Sequence, residues 1–173
     1  MKLYRAKVPA IASECLARLA ADGDIELDGE HRADAEADLA AIMEDYLNRD
    51  NALREEIRDH MSRRSMTYDQ YGKVRTAMAE GQGHPLGDDV ERYLARQFSE
   101  YLMISRWVEE VYADDKVIYK KLLAILKNHH VDENAIRDEA RSKIKNIREG
   151  TVEFEVAMEG AVREVKKRKG LIG

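Results

Sequence analysis

The chain has 173 residues, of which 44% are hydrophobic and 36% are charged, and its formal net charge is -5. This length accommodates one compact domain or two small ones, and the acidic balance argues against a surface that grips nucleic acid over its whole extent. The single Cys15 excludes an intramolecular disulfide framework, so we expect a reducing compartment and a cytoplasmic protein. No apolar run approaches the ~20 residues that span a bilayer, so we predict no membrane span.

The scarcity of proline and the abundance of helix-forming residues predict an all-α fold. In the first half, apolar residues at helical spacing predict helices from Arg5 to Asp22, from Ala33 to Leu47, from Asp50 through Met61, and from Thr67 through Met78. Asp50 is expected to cap the third of these helices. Thr67 and Gln70 form a capping-box pattern at the start of the fourth. The segment Asp24 to Asp28 alternates acidic and apolar residues, as a short extended piece would.

The stretch Asn51 to Arg58 recurs as Asn134 to Arg141, at an offset of 83 residues. Identical residues cluster without gaps from Leu39 to Arg58, and the apolar stripes on both sides stay in phase. We therefore predict two tandem repeats of roughly four helices each, which cover residues 1–83 and 84–173. Glycines between Gly81 and Gly87 mark the boundary. The sequence leaves open whether the repeats share one core or form two lobes.

The second half follows the same order of elements. Aspartates are expected to start its first two helices: Asp88 or Asp89, and Asp114 or Asp115. The segment Trp107 to Val111 takes the place of the first acidic extended piece. The helix that carries the second copy is expected to continue through Ile144 and Ile147 to Gly150, which would cap it. A final helix buries Phe154 and Val165 and ends in basic residues.

Four segments resemble the bacterial family called domain of unknown function 507: Met1 to Ala12, Leu86 to Val90, Val108 to Asp115, and Lys145 to Thr151. The resemblance extends over essentially the full chain and depends on helical motifs, not on a catalytic signature. It implies an all-helical bacterial protein with two related halves, and it supplies no functional residues.

The acidic piece also resembles part of an EF-hand, because Asp24, Glu26 and Asp28 place oxygen ligands at alternate positions before a glycine. However, His31 stands where the loop needs an apolar residue, and Ala35 stands where it needs a bidentate carboxylate. A solvated acidic turn explains the pattern as well, so cation binding stays open.

A second candidate metal group comprises His129, His130, Asp132 and Glu133. Adjacent histidines on a helix point about 100° apart and rarely share one ion. A helix end with a capping acid explains these residues equally well. We therefore predict no metal ligands among them.

Two further features are interpreted as structural. Cys15 lies on the apolar stripe of the first helix, and Phe98 occupies the equivalent position in the second half, which predicts a buried thiol. The glycines from Gly81 to Gly87 follow a helix and lack the Lys-Ser/Thr of a phosphate loop, which predicts a linker.

Two surfaces are candidates for binding a partner. Clustered cations near the end of the chain could bind an anion such as nucleic acid: Arg163, Lys166, Lys167, Arg168 and Lys169. The helix dipole also favours such residues, and aromatic stacking partners are missing from the tail. The other candidate surface consists of the polar positions that are identical in the two copies: Asn51, Arg54, Glu56 and Arg58, with Asn134, Arg137, Glu139 and Arg141. Exposed ion pairs stabilise a helix by only ~0.2 to 0.5 kcal/mol, so we hypothesise equivalent contacts with each other or with a partner.

No Ser/His/Asp set, metal quartet or phosphate loop is identifiable in the sequence. We therefore predict a non-enzymatic helical interaction or scaffold module that needs no cofactor and binds another protein or itself. The alternative is a nucleic-acid or ribosome-associated protein that binds through its basic C-terminal helix. A carboxylate enzyme with groups from several helices is a third hypothesis.

Overall fold

The protein is mostly helical, as predicted, in a computed structural model that describes residues 1–144 and 147–173. The α-helices are α1 (Val8–Ala21), α2 (Arg32–Arg63), α3 (Tyr71–Gly81), α4 (Asp89–Ile104), α5 (Asp115–Asn128), α6 (Glu133–Lys143) and α7 (Val152–Arg168). Short 3₁₀ turns at Arg5–Lys7 and Tyr68–Gln70 precede α1 and α3. Among the described helices, none has the length and apolar character needed to cross a membrane.

A small antiparallel sheet departs from the all-α prediction. Strand β1 (Ile25–Leu27) pairs with β2 (Val108–Val111), so that Glu26 lies opposite Glu110. These strands come from the two segments that the sequence placed at equivalent positions, and the predicted extended piece over Asp24 to Asp28 is confirmed. Each strand has only three or four residues, so its pairing depends on a partner far away in the chain.

The second and third predicted helices are a single helix, α2, and the predicted cap at Asp50 is wrong. Asp50 lies in the middle of α2, where its residue is only 5% exposed. Its carboxylate binds Arg54 and Arg75 and does not cap backbone N–H groups. A polar residue that would otherwise favour a helix start is therefore accommodated inside a helix, because its charge is paired.

Other helix ends also differ from their predictions. Thr67 makes no side-chain capping bond, because a 3₁₀ turn separates it from α3, so the capping box is wrong. Helix α6 ends at Lys143 and does not extend to Gly150, which has φ +81° in the turn before α7. Lys145 and Asn146, within the predicted extension, lie outside the described residues.

The aspartates near the other helix starts play different roles. Asp88 and Asp114 occupy the residues before α4 and α5 but make no side-chain capping bond. Asp132, in contrast, accepts hydrogen bonds from the backbone N–H groups of Asn134 and Ala135. The interpretation of Asp132 as a capping acid is therefore confirmed.

Both halves contribute to one central core. Helix α1 packs against α2 and α5, and α4 packs against α5 and α2. The buried core side chains include Ile11, Cys15, Leu39 and Met43 from the first half, and Leu94, Phe98, Leu122 and Leu126 from the second. The question that the sequence left open is therefore answered: the two halves share a core.

Beyond this core, each half ends in a helical hairpin with its own apolar cluster. Wing 1, residues 50–81, packs the C-terminal part of α2 against α3 through Leu53, Ile57 and Val74. Wing 2, residues 133–168, packs α6 against α7, with Tyr4 and Leu171 joining its cluster. Helix α2 runs into wing 1 without a break, whereas residues 129–132 separate α5 from α6.

A candidate binding groove between the wings

A groove of about 810 Å³, the basic groove, separates α2 from α7. Asn51 and Arg54 line it from α2, and Arg163 and Lys166 line it from α7. The structure thus brings together residues from the two candidate surfaces, which are more than a hundred residues apart in the sequence. Apolar residues also line the groove: Leu3, Leu47, Val162, Leu171 and Ile172.

The side chains that line the basic groove have an excess of positive charge. The cations are Lys2, Arg5, Arg54, Arg163 and Lys166, and the side-chain carboxylates are those of Asp50 and Glu159. Cations beside apolar surface favour a ligand that carries acidic groups next to apolar ones. The groove can therefore offer both charge and hydrophobic contact.

Asp50 holds the arginines of the α2 wall in place. It accepts a 2.6 Å hydrogen bond from Arg75 and pairs with Arg54 at 2.7 Å, and His84 Nε2 lies 3.2 Å away. Burial works to raise the pKa of Asp50, but the hydrogen bond from Arg75 and the charges of Arg54 and Arg75 lower it overall. Arg54 remains 38% exposed, and its guanidinium has further N–H donors for a ligand.

Glu133, which lies 83 residues after Asp50, is the centre of a second charged network. Tyr4 donates a hydrogen bond to its carboxylate, and the ammonium group of Lys166 lies 3.0 Å from it. Burial works to raise the pKa of Glu133, but the hydrogen bonds from Tyr4 and Lys166 lower it overall. This network ties the segment before α1 to wing 2.

An adjoining groove of about 660 Å³ has walls of opposite charge. Arg54, Arg58 and Arg75 line it from wing 1, and Asp132 and Glu133 line it near the start of wing 2. Asn134 of the second copy also lines this groove, so parts of both copies meet there.

The remaining members of the candidate partner surface lie elsewhere. Glu56 accepts a hydrogen bond from Gln82, and Glu139 pairs with two cations of the tail, Arg168 and Lys169. Arg137 and Arg141 line a separate concavity between α6 and α7. The eight predicted positions therefore do not form one continuous surface. Lys167 of the tail is exposed.

Within the copies, the expected ion pairs form only in part. Arg54 pairs with Asp50, and Arg58 pairs with Glu55 at 2.6 Å. Arg141, which was expected to pair within α6, lies 3.0 Å from Glu149. The second copy therefore uses its charges differently from the first.

The three carboxylates of the EF-hand-like pattern have separate partners. Asp24 is buried and pairs with Lys121 at 2.5 Å, Glu26 accepts a hydrogen bond from Tyr112, and Asp28 lies 2.6 Å from His31. Over residues 1–144 and 147–173, no group of three or more His, Cys, Asp or Glu side chains is arranged to hold a metal ion.

The histidines of the second candidate metal group also point to different acids. His129 Nε2 lies 2.7 Å from Glu14, and His130 Nδ1 lies 3.8 Å from Glu91. Cys15 is fully buried, as predicted. Burial and the neighbouring charge of Glu14 raise the pKa of its thiol to about 12, which suppresses formation of the reactive thiolate.

Several residues of these networks were not identified from the sequence, notably Lys2, Tyr4, Arg75 and His84. Their partners lie on distant elements, so no local spacing pattern indicates them. The only local hint is a lone histidine between Gly83 and Pro85 in the predicted linker.

The fold defines a helical protein whose two halves share one core and whose wings border a basic groove. The chain belongs to the family described as protein of unknown function (DUF507), whose model matches residues 1–171. This match confirms the family resemblance seen in the sequence. No curated protein matches the chain.

Proposed function

We propose that this protein is a non-catalytic interaction module and that the basic groove is its docking surface for another protein. The observation that carries the proposal is that residues from two independently chosen surfaces form opposite walls of this groove. Asn51 and Arg54 lie on one wall, and Arg163 and Lys166 lie on the other. Because Leu47 and Leu171 also line the groove, a protein segment with acidic and apolar side chains would find complementary groups.

We infer that the module arose from two tandem repeats, residues 1–83 and 84–173. In support, β1 and β2 begin at Ile25 and Val108, and α2 and α5 begin at Arg32 and Asp115, both 83 residues apart. The packing is also reciprocal, because α1 contacts α5 and α4 contacts α2. The break at residues 129–132 is the main departure from this correspondence.

A non-enzymatic role is supported by how the charged groups are used. Asp50 and Glu133 are engaged by cations on neighbouring elements, which leaves them poorly suited to proton transfer. The buried, high-pKa thiol of Cys15 is likewise unsuited to nucleophilic chemistry. The bacterial origin and the cytoplasmic location stay predictions, which the family resemblance and the single cysteine support.

Nucleic-acid or ribosome binding through the tail has weaker support than a protein partner. Lys166 pairs with Glu133, and Arg168 and Lys169 pair with Glu139. Cations that already face carboxylates release fewer counterions from a phosphate backbone. We therefore favour the groove over the tail.

Affinity capture from the native cell tests the proposal. Arg163→Glu reverses an exposed charge in the groove, and Arg96→Glu makes the same change at an exposed position of α4 that does not line it. We expect the first variant to lose a co-purifying protein that the second retains. Equal recovery of proteins by the two variants would contradict the proposal, and capture of nucleic acid in place of a protein would favour the alternative.

A further inference from the structure

The two ends of the central core differ in position and in chemistry. Helix α1 starts beside the basic groove, which residues 2–6 line, and leads into β1; α4 starts at the adjoining groove and leads into β2. The sheet and the basic groove therefore lie at opposite ends of these helices. Since α1 and α4 have 14 and 16 residues, the two ends are separated by roughly 21 to 24 Å of helix.

The end that carries the sheet is strongly acidic. We define the acidic sheet end as residues 22–30 and 107–115, neither of which contains a basic residue. Its carboxylates are those of Asp22, Asp24, Glu26, Asp28, Glu30, Glu109, Glu110, Asp114 and Asp115. Lys121 neutralises part of this charge through Asp22 and Asp24. Glu109 and Glu110 of β2 remain exposed.

This acidity does not serve the stability of the sheet. Glu26 and Glu110 are register partners, and like charges directly opposite each other in an antiparallel pair are destabilising. The hydrogen bond from Tyr112 to Glu26 offsets this repulsion only in part. A surface that retains charge against its own stability is better explained by a contact outside the fold. Apolar groups accompany the charge, because Ile104 and Tyr112 are 84% and 63% exposed.

We propose that the acidic sheet end of one copy docks in the basic groove of a second copy. This inference rests on the proposed docking role of the groove and names its occupant. Glu109 and Glu110 would face the groove cations Arg5 and Arg163, while Tyr112 would contact the apolar lining. Because the two surfaces differ and lie at opposite ends, the contact is heterologous and joins copies head to tail. It weakens with salt, because the charges involved are exposed.

Sedimentation velocity on the full chain tests the inference with two charge-reversed variants. Glu109→Lys with Glu110→Lys removes the acidic sheet end but keeps the groove, and Arg5→Glu with Arg163→Glu removes the groove but keeps the sheet end. We expect the wild-type protein to form larger species as its concentration rises and to lose them at high salt. Each variant alone should be monomeric, whereas an equimolar mixture should form a 1:1 dimer and nothing larger.

Controls make the same charge changes away from both surfaces, at Glu100 and Arg96 of α4, and should associate like the wild type. A wild-type protein that stays monomeric at every concentration and salt would overturn the inference. So would a mixture of the two variants that stays monomeric, or variants that associate normally. Loss of a captured cellular protein in Arg163→Glu, with a monomeric wild type, would overturn this inference but leave the proposed docking groove intact.

Discussion

Asp50 of α2 and Arg75 of α3 form a 2.6 Å charged hydrogen bond that joins the two helices of wing 1. Arg54 binds the other carboxylate oxygen at 2.7 Å, so a nearly buried carboxylate faces two guanidinium groups. The same contact holds Arg54 at the wall of the basic groove. Stability of the wing and order in the groove therefore depend on one side chain.

Replacing this carboxylate with an amide tests that dependence. Asp50→Asn keeps the size of the side chain but removes its charge, and we expect it to lower the free energy of unfolding by about 1 to 3 kcal/mol. Asp59→Asn, an exposed change on the same helix, should have little effect. Urea denaturation measures both variants. Similar midpoints for the two would show that the Asp50 network does not stabilise wing 1.

His84 is expected to make the protein less stable as the pH falls. Burial lowers the pKa of His84, although its contact with Asp50 opposes this change. The folded protein therefore resists protonation more than the unfolded chain, whose histidine titrates near pH ~6.5. The contribution of neutral His84 is complete above that pH and is lost as the pH falls through the lower pKa of the folded state.

The measurement is the melting temperature as a function of pH below about 6.5. His84→Gln should flatten this dependence, whereas His60→Gln, on α2, should leave it unchanged. Asp50 adds a loss only at lower pH, since its pKa in the folded protein lies below its ordinary value. An unchanged slope in His84→Gln would contradict the assignment.

The opposed pair Glu26 and Glu110 predicts a stabilising substitution. Glu110→Gln removes the repulsion across the sheet, and we expect it to raise the free energy of unfolding by roughly 0.2 to 1 kcal/mol. Glu109→Gln is the matched control, because Glu109 has no register partner in β1. Chemical denaturation of the three proteins measures the difference. A loss of stability in Glu110→Gln would show that the pair does not repel in the folded protein.

Cys15 should report on global unfolding. Its thiol is buried in the central core, with its pKa raised to about 12 by burial and by Glu14. We expect a disulfide reagent such as DTNB to react slowly with the native protein and rapidly after unfolding. Fast labelling in native buffer would mean that the core opens locally around α1.

The nucleic-acid alternative needs a variant that preserves the fold. Removing every residue after Val162 would also delete Val165 and Leu171 from the cluster of wing 2. Arg163→Glu with Lys167→Glu is a better test, because both side chains are exposed. We expect fluorescence anisotropy with single-stranded RNA to show no strongly salt-dependent binding. Binding that falls steeply with salt and disappears in the variant would establish the alternative.

Sequence alone determined the features that depend on local spacing. The apolar stripes of α1, α4 and α5 recur at helical intervals, so the helices and buried positions such as Cys15 and Phe98 could be predicted. The two extended pieces were also placed correctly, because acidic and apolar residues alternate there. The family resemblance followed from segments distributed along the whole chain.

The tertiary structure decided the features that join distant residues. Asp50 was predicted to cap a helix because it is a favourable capping residue, but its partners Arg75 and His84 lie 25 and 34 residues away and keep it inside α2. The basic groove is less accessible still to sequence analysis, because its walls on α2 and α7 come from opposite halves of the chain. Local periodicity specifies which face of a helix is buried, but only packing specifies which other helix it meets.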